Sequence, residues 1–170
     1  MKWRKGNWWW VSLTVVTALL VMVGFGGARL TKVSWQSAQP YFGRVTLEQI
    51  AKENASVSTK EIAQQMRVYQ LSAKPLKLAL VDFHSPQLCG RNGCLYAVYQ
   101  KLESEGSWVR ILSRYLDPYL PKGTPLLEEN KLRDSCWDIN QLEQTNLRQT
   151  TVCFGEGRSQ VLETRLFQLN

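Results

Sequence analysis

The sequence holds a single histidine, His84. Any mechanism that needs an imidazole must use that residue, and a site built from several histidines is excluded. There is no His-Glu-x-x-His pair, no glycine loop of the phosphate-cradling kind and no Gly-x-Ser-x-Gly elbow. Those absences remove the signatures of zinc proteases, P-loop nucleotide enzymes and α/β-hydrolases. No internal repeat and no low-complexity tract breaks the chain. Basic residues form no run after Lys32. The formal net charge of +7 arises mostly before that point: residues 1–32 carry five basic residues and no acidic one, and the rest carries 16 basic against 14 acidic. A basic patch on a folded domain, the footprint of nucleic-acid binding, is therefore not expected.

Long apolar runs are equally scarce, and the one present stands out. Val11 to Ala28 (VSLTVVTALLVMVGFGGA) contains no charge. As a helix it extends about 27 Å, close to the roughly 30 Å of a bilayer's hydrocarbon core. Of the seven tryptophans, Trp3, Trp8, Trp9, Trp10 and Trp35 bracket it. Indole rings favour the headgroup level, where an apolar body meets a wet N–H, so Trp8, Trp9, Trp10 and Trp35 are expected as anchors in the lipid bilayer. Lys2, Arg4 and Lys5 precede the run, and Arg29 and Lys32 follow it. The bias places the N-terminus in the cytoplasm and the remainder in a periplasm or lumen. A cleaved signal peptide is the alternative, with Gly26-Gly27-Ala28 as its small-residue end. Both readings export the following domain.

The expected organisation is a cytoplasmic stub and anchor over 1–28, a juxtamembrane linker over 29–45 and an exported domain over 46–170. About 125 residues suffice for one domain with a real core. Thr46-Leu-Glu-Gln49 and Ser58-Thr-Lys-Glu61 match the capping-box pattern, which predicts two short helices. The second, over about 59–71, sets Ile62, Met66 and Tyr69 on one face. The period then changes. LKLALVDF (76–83) is an apolar strand, and 95–102 with 107–116 form a hairpin turning at Gly106. RQTTVCF (148–154) and SQVLETRLFQL (159–169), joined by Gly-Glu-Gly, form a second. Between the hairpins, residues 117–146 carry Pro118, Pro121 and Pro125 and read as a long loop, the natural place for a binding surface. The expected fold is α+β: a transmembrane helix, then two short helices on a four- to five-stranded antiparallel meander.

Candidate chemistry is thin. Asp82 and His84 sit at a strand end, project from the same face and are followed by Ser85. A nucleophilic triad needs its hydroxyl to approach the imidazole edge across a cleft, which neighbours on one strand rarely achieve. A solvated histidine in a turn ended by Pro86 is the simpler account. Glu103, Glu105, Glu128 and Glu129 are the carboxylates available to a glycan hydrolase, but all lie in turns or loops. No cofactor and no metal site is expected.

The four cysteines, Cys89, Cys94, Cys136 and Cys153, carry the strongest signal in the domain. An even count in an exported domain points to disulfides. Zinc would need two close pairs, and only CGRNGC resembles one. A redox dithiol would need two intervening residues at a helix N-terminus, whereas four intervene here and a strand follows. Cys89–Cys94 with Cys136–Cys153 is one connectivity, in which Gly90 and Gly93 let the small loop close on itself. The main rival joins Cys94 to Cys153 across the sheet.

LCGRNGCLYAVY followed by LSRYLDPYLP resembles single-pass membrane-anchored proteins of cyanobacteria. The resemblance covers about the middle third of the domain. It implies a plasma or thylakoid membrane and no particular activity. The functional expectation is a membrane protein whose disulfide-stabilised domain serves protein interaction or the assembly of a membrane complex, with another membrane or periplasmic protein as partner. Gly24 and Ala28 in the span offer a small-residue face for a neighbouring helix. The alternatives are an exported enzyme, either a cell-wall or glycan hydrolase or a thiol–disulfide oxidoreductase, and a small-ligand-binding domain.

Overall fold

Strands β3 (Leu76–Asp82) and β5 (Gly93–Lys101) have almost no polar face: residues 78–82 and 95–100 are buried without a break. A strand that reads this way must be covered on both sides. The computed structural model describes residues 34–55, 59–73, 75–155 and 157–169. Among them lie ten strands and three α-helices, stacked as a helical layer, a six-stranded antiparallel sheet and a four-stranded antiparallel sheet. The expected span at 11–28 and Trp8, Trp9 and Trp10 lie outside the described residues. Among the described ones no helix is long and apolar enough to cross a membrane.

The six-stranded sheet begins with β1 (Gln36–Ser37), then β2 (Arg67–Ala73), β3 and β5. The far side of β5 pairs with β6 (Trp108–Leu116), and the two-residue β4 (Cys89–Gly90) pairs with β5 beyond the end of β3. Strand alternation sorts the side chains between two cores. Val68, Ala79, Val81, Leu95, Ala97 and Tyr99 join the helices, while Leu71, Leu78, Leu80, Tyr96 and Val98 join the second sheet. Each fully buried side chain of this size contributes about 1.5–3 kcal/mol.

The helical layer is α1 (Gln39–Phe42), α2 (Arg44–Asn54) and α3 (Thr59–Gln65). Leu47, Ile50 and Ala51 form the buried face of α2 at helical spacing, and Ile62 and Ala63 that of α3. The second sheet comprises β7 (Leu127–Glu129), β8 (Cys136–Glu143), β9 (Asn146–Gly155) and β10 (Arg158–Gln168), in the order β10-β9-β8-β7. Leu127, Trp137, Ile139, Val152 and Phe154 are its contribution to the shared core. Two polar contacts also tie the sheets. Ser159 Oγ donates to the Ile111 carbonyl at 2.7 Å, and the buried Gln100 accepts from the Gly157 N–H at 2.9 Å. Ile111 is the extra residue where β6 bulges against β5, which takes its carbonyl out of the regular ladder.

Mixed helix and antiparallel sheet is the observed class, but the single meander gives way to two sheets. The helix expected over 59–71 stops at Gln65. Ile62 and Met66 pack in the helical layer, whereas Tyr69 sits on β2 and faces the other core. Pairing of Arg67–Ala73 with β3 overrides the helical spacing of those three residues. Residues 117–146 are not one loop, since β7 and β8 lie within them. β8 hides behind its polar composition: buried Asn140 spends its amide on the Pro125 carbonyl (2.9 Å), and Gln149 donates to its carbonyl oxygen (3.3 Å). The second half of the expected linker is also folded, with Ala38 and Phe42 in the core.

Candidate functional site

The chemistry-bearing residues gather where β3 ends. Phe83 plugs the core at 1% exposure, and the chain then leaves the sheet through His84, which adopts a positive φ of 46°. That backbone is uncommon outside glycine, although asparagine, aspartate and histidine adopt it more often than other residues. Asp82 holds it in place: its Oδ1 accepts the His84 N–H at 2.8 Å. The imidazole is half exposed and lies between two charges. Its Nδ1 is 3.7 Å from Asp82 Oδ2, and its Nε2 is 2.9 Å from Arg67 Nη2. A guanidinium only donates, so Nε2 is the acceptor and the ring proton sits on Nδ1, facing Asp82.

This arrangement limits what His84 can do. A general base must offer its lone pair to the proton it removes, and here that lone pair is engaged by Arg67. Ser85 is buried, and among the described residues no hydrogen bond joins its hydroxyl to the imidazole. Asp82 and His84 lie together, though His84 stands beyond the end of β3 and not on a shared strand face; Ser85 does not complete a triad. Arg67 was missed. It lies directly opposite Asp82 on the neighbouring strand, a relation that only the register reveals.

The other carboxylates do not converge. Glu103 pairs loosely with Lys77 at 3.7 Å, and Glu105 accepts from Ser107 Oγ at 3.1 Å, both in the β5–β6 turn. Glu128 and Glu129 lie exposed on β7 in the other sheet. Among the described residues no group of three or more His, Cys, Asp or Glu is placed to hold a metal ion.

Cys89 and Cys94 face each other directly across the β4–β5 hairpin and are disulfide-bonded, with Cα atoms 3.9 Å apart. Cys136 and Cys153 do the same across β8 and β9, at 4.0 Å. The cross-sheet alternative, Cys94 to Cys153, does not occur, because each cysteine already has a partner opposite it in its own sheet. The two glycines of CGRNGC are not equivalent. Gly93 has φ of 99°, and a Cβ there would collide with the backbone of Leu116 and Asp117. Gly90 has open space around it. The stretch is thus a stapled β-turn pressed against the end of β6, with its sulfurs between strands rather than at a helix N-terminus.

A shallow groove of about 250 Å³ is lined by Trp35, Gln36, Ser37, Gln64, Gln65 and Met66 along with Arg67, the residue that reaches His84. Its walls are mostly polar and its volume falls below the roughly 300–1,000 Å³ of ordinary ligand pockets. Trp35, expected among the membrane anchors, is half-buried here. Pairing of Gln36 with Val68 draws it onto the sheet, where it packs on Tyr69 and Tyr96 at 6.3 and 6.1 Å.

Two buried tyrosines complete the electrostatics. Burial, with the charges of Asp82 and Asp117 adding to it, pushes the Tyr96 phenol well above its usual range. Tyr99 is pushed up to about 12, chiefly by burial. Its hydroxyl receives the Asn54 amide at 3.0 Å, and Arg110 reaches Asn54 Oδ1 at 2.7 Å. That network fastens the C-terminus of α2 to β5 and β6. Both phenols stay neutral at ordinary pH and act as structural groups.

Compared with protein-family models, curated proteins and solved structures, the chain matches none of them.

Proposed function

We propose that this chain is a single-pass membrane protein that displays its folded domain on the non-cytoplasmic side, where the domain serves protein interaction or the assembly of a membrane complex. The observation that carries the reading is the use of all four cysteines in two intrasheet disulfides, which fits an oxidising compartment. It agrees with the uncharged run at 11–28, the basic residues before it and the tryptophans at 8–10. The membrane is a plasma or thylakoid membrane, with the N-terminus cytoplasmic.

A binding role is favoured over catalysis because of the geometry at His84. The imidazole is tied down by Arg67 and Asp82, the carboxylates are dispersed, and the groove is small and polar. The hydrolase and small-ligand readings therefore lack a supporting arrangement, and the dithiol reading lacks a site that would stabilise a thiolate.

The test is membrane fractionation combined with thiol labelling in the native host. The expected result is that the chain stays in the membrane pellet after alkaline carbonate washing. External protease should digest the domain once the outer barrier is opened, and a maleimide should label it only after reduction. Release by carbonate, or four thiols that label without reductant, would overturn the reading. Mass measurement of the mature N-terminus separates a retained span from a cleaved peptide.

A further inference from the structure

The outer edge of β10 is the longest uncovered feature of the described fold. Among the described residues no strand pairs with it. It runs for 11 residues without a proline, although natural edges are commonly short or interrupted. Four large apolar side chains stand on it in the open: Val161, Leu162, Leu166 and Phe167, exposed at 46%, 43%, 62% and 44%.

The order of its residues says what would cover it. Read outward from Thr164 the strand is a chemical palindrome: Gln160-Val161-Leu162-Glu163-Thr164-Arg165-Leu166-Phe167-Gln168. In two identical strands paired antiparallel about a two-fold axis, residues equidistant from the axis face each other. With the axis at Thr164, Glu163 of each copy meets Arg165 of the other. Leu162 meets Leu166, and in sequence order Val161 matches Phe167 and Gln160 matches Gln168. Opposite charges and paired apolar groups are the combinations that stabilise facing strands.

Backbone direction permits the same register. The Leu169 N–H donates to the Thr145 carbonyl at 3.1 Å, so Leu169 turns its polar groups toward the rest of its sheet. Alternation then points the N–H and C=O of Gln168, Leu166 and Thr164 outward, away from β9. An axis at Thr164 sets these outward groups against each other, and each Thr164 N–H donates to the other copy's carbonyl. An axis midway between two residues would oppose outward groups with inward ones, and an axis at Glu163 or Arg165 would set two like charges face to face. A shift of two, to an axis at Leu162 or Leu166, would lose the Glu163–Arg165 match.

The charges are already arranged for this. Arg165 binds Glu163 of its own strand through two contacts, Nε at 2.7 Å and Nη2 at 2.8 Å. Both residues lie on one face, opposite Gln149 and Thr151 of β9. Across the axis they become a ring of four charges alternating in sign. β10 bulges at Leu162 against β9, which ends the regular stretch there and leaves Leu162 to Leu166 as the central ladder.

We propose that two copies of this chain pair antiparallel through the outer edges of β10, with Thr164 on the two-fold axis, joining their four-stranded sheets into one of eight strands. The inference does not depend on where the domain resides.

Sedimentation velocity of the full chain in mild detergent, over a range of protein concentrations, tests it. A dimer is expected. Glu163→Arg or Arg165→Glu should weaken it about tenfold or more, since each sets like charges face to face twice per dimer. The double variant E163R/R165E restores the match and should restore the dimer. Thr164→Cys should give a reducible covalent dimer, whereas Gln160→Cys, four residues from the axis, should not. The native cysteines do not compete, because none is free. Cooperative unfolding in urea like that of the native chain, followed by tryptophan fluorescence, shows that each variant is folded. A monomer at every concentration, a dimer that ignores the charge reversals, or cross-linking as strong at 160 as at 164 would overturn the proposal.

Discussion

The two sheets of this domain are built from the same strand chemistry and treated in opposite ways. β3 and β5, inside the first sheet, are covered on one face by helices and on the other by the second sheet. β10, at the rim of the second sheet, has hydrogen-bonded neighbours on one side alone and stands mostly in the open. Both read as hydrophobic strands in the sequence. The difference is what lies around them, so equal changes of residue should have unequal costs.

The sharpest test of that contrast is a buried charge. Val81→Asp places a carboxylate at a position with 0% exposure between β2 and β5. It should cost about 4 kcal/mol or more and unfold much of the domain, because no cation is there to receive it. Loss of cooperative unfolding in urea, followed by tryptophan fluorescence, is the measurement. Gly93→Ala should come next, at about 3 kcal/mol, because the added methyl meets β6 backbone where φ is already positive. Gly90→Ala, in open space, is its control and should be nearly silent.

The two staples should differ by less. The Cys136–Cys153 bridge closes a longer loop than Cys89–Cys94, with sequence separations of 17 and 5. In the chain-entropy picture, replacing each pair with serine costs about 3 and about 2 kcal/mol. Urea midpoints of the two double variants give the order, and equal or reversed midpoints would refute the loop-length account.

Tyr99 supplies a pH test of the same core. Folding holds its phenol protonated, with the pKa pushed up from about 10 to about 12. Its contribution is whole below about pH 10 and is lost as the pH climbs through 12. Tyr96 acts in the same direction. Stability of the native chain should fall above pH 10, and Tyr99→Phe should flatten part of that slope while costing about 1 kcal/mol at neutral pH. The smallest effect belongs to β10. Leu166→Asp, on a residue 62% exposed, should change the stability of the single copy by less than about 0.5 kcal/mol. A large change would mean that the rim of the second sheet is not open as described.

How much of this was readable in advance depends on distance along the chain. The β5–β6 and β9–β10 hairpins were legible, because glycine turns between β-rich segments declare themselves locally. The boundary between α3 and β2 was not. Ile62, Met66 and Tyr69 have helical spacing, and only pairing with β3 decides that Tyr69 belongs to a strand. β8 was hidden by half-buried Asp138 and buried Asn140, which are tolerable there because Thr151, Asn130 and Gln149 bond to them. At the candidate site, Asp82 and His84 were visible as neighbours, but Arg67 comes from 17 residues away and turns a candidate base into an engaged acceptor.

By itself the sequence determined the apolar run with its flanking charges, the number of cysteines and the two hairpins, because each depends on residues close together. Tertiary structure alone decided that the strands form two sheets, that each cysteine meets the one across its own hairpin, and that His84 is held by Arg67. It also decided which face of each strand is covered. Those outcomes depend on register, and register is chosen by the packing of the whole domain rather than by any one segment.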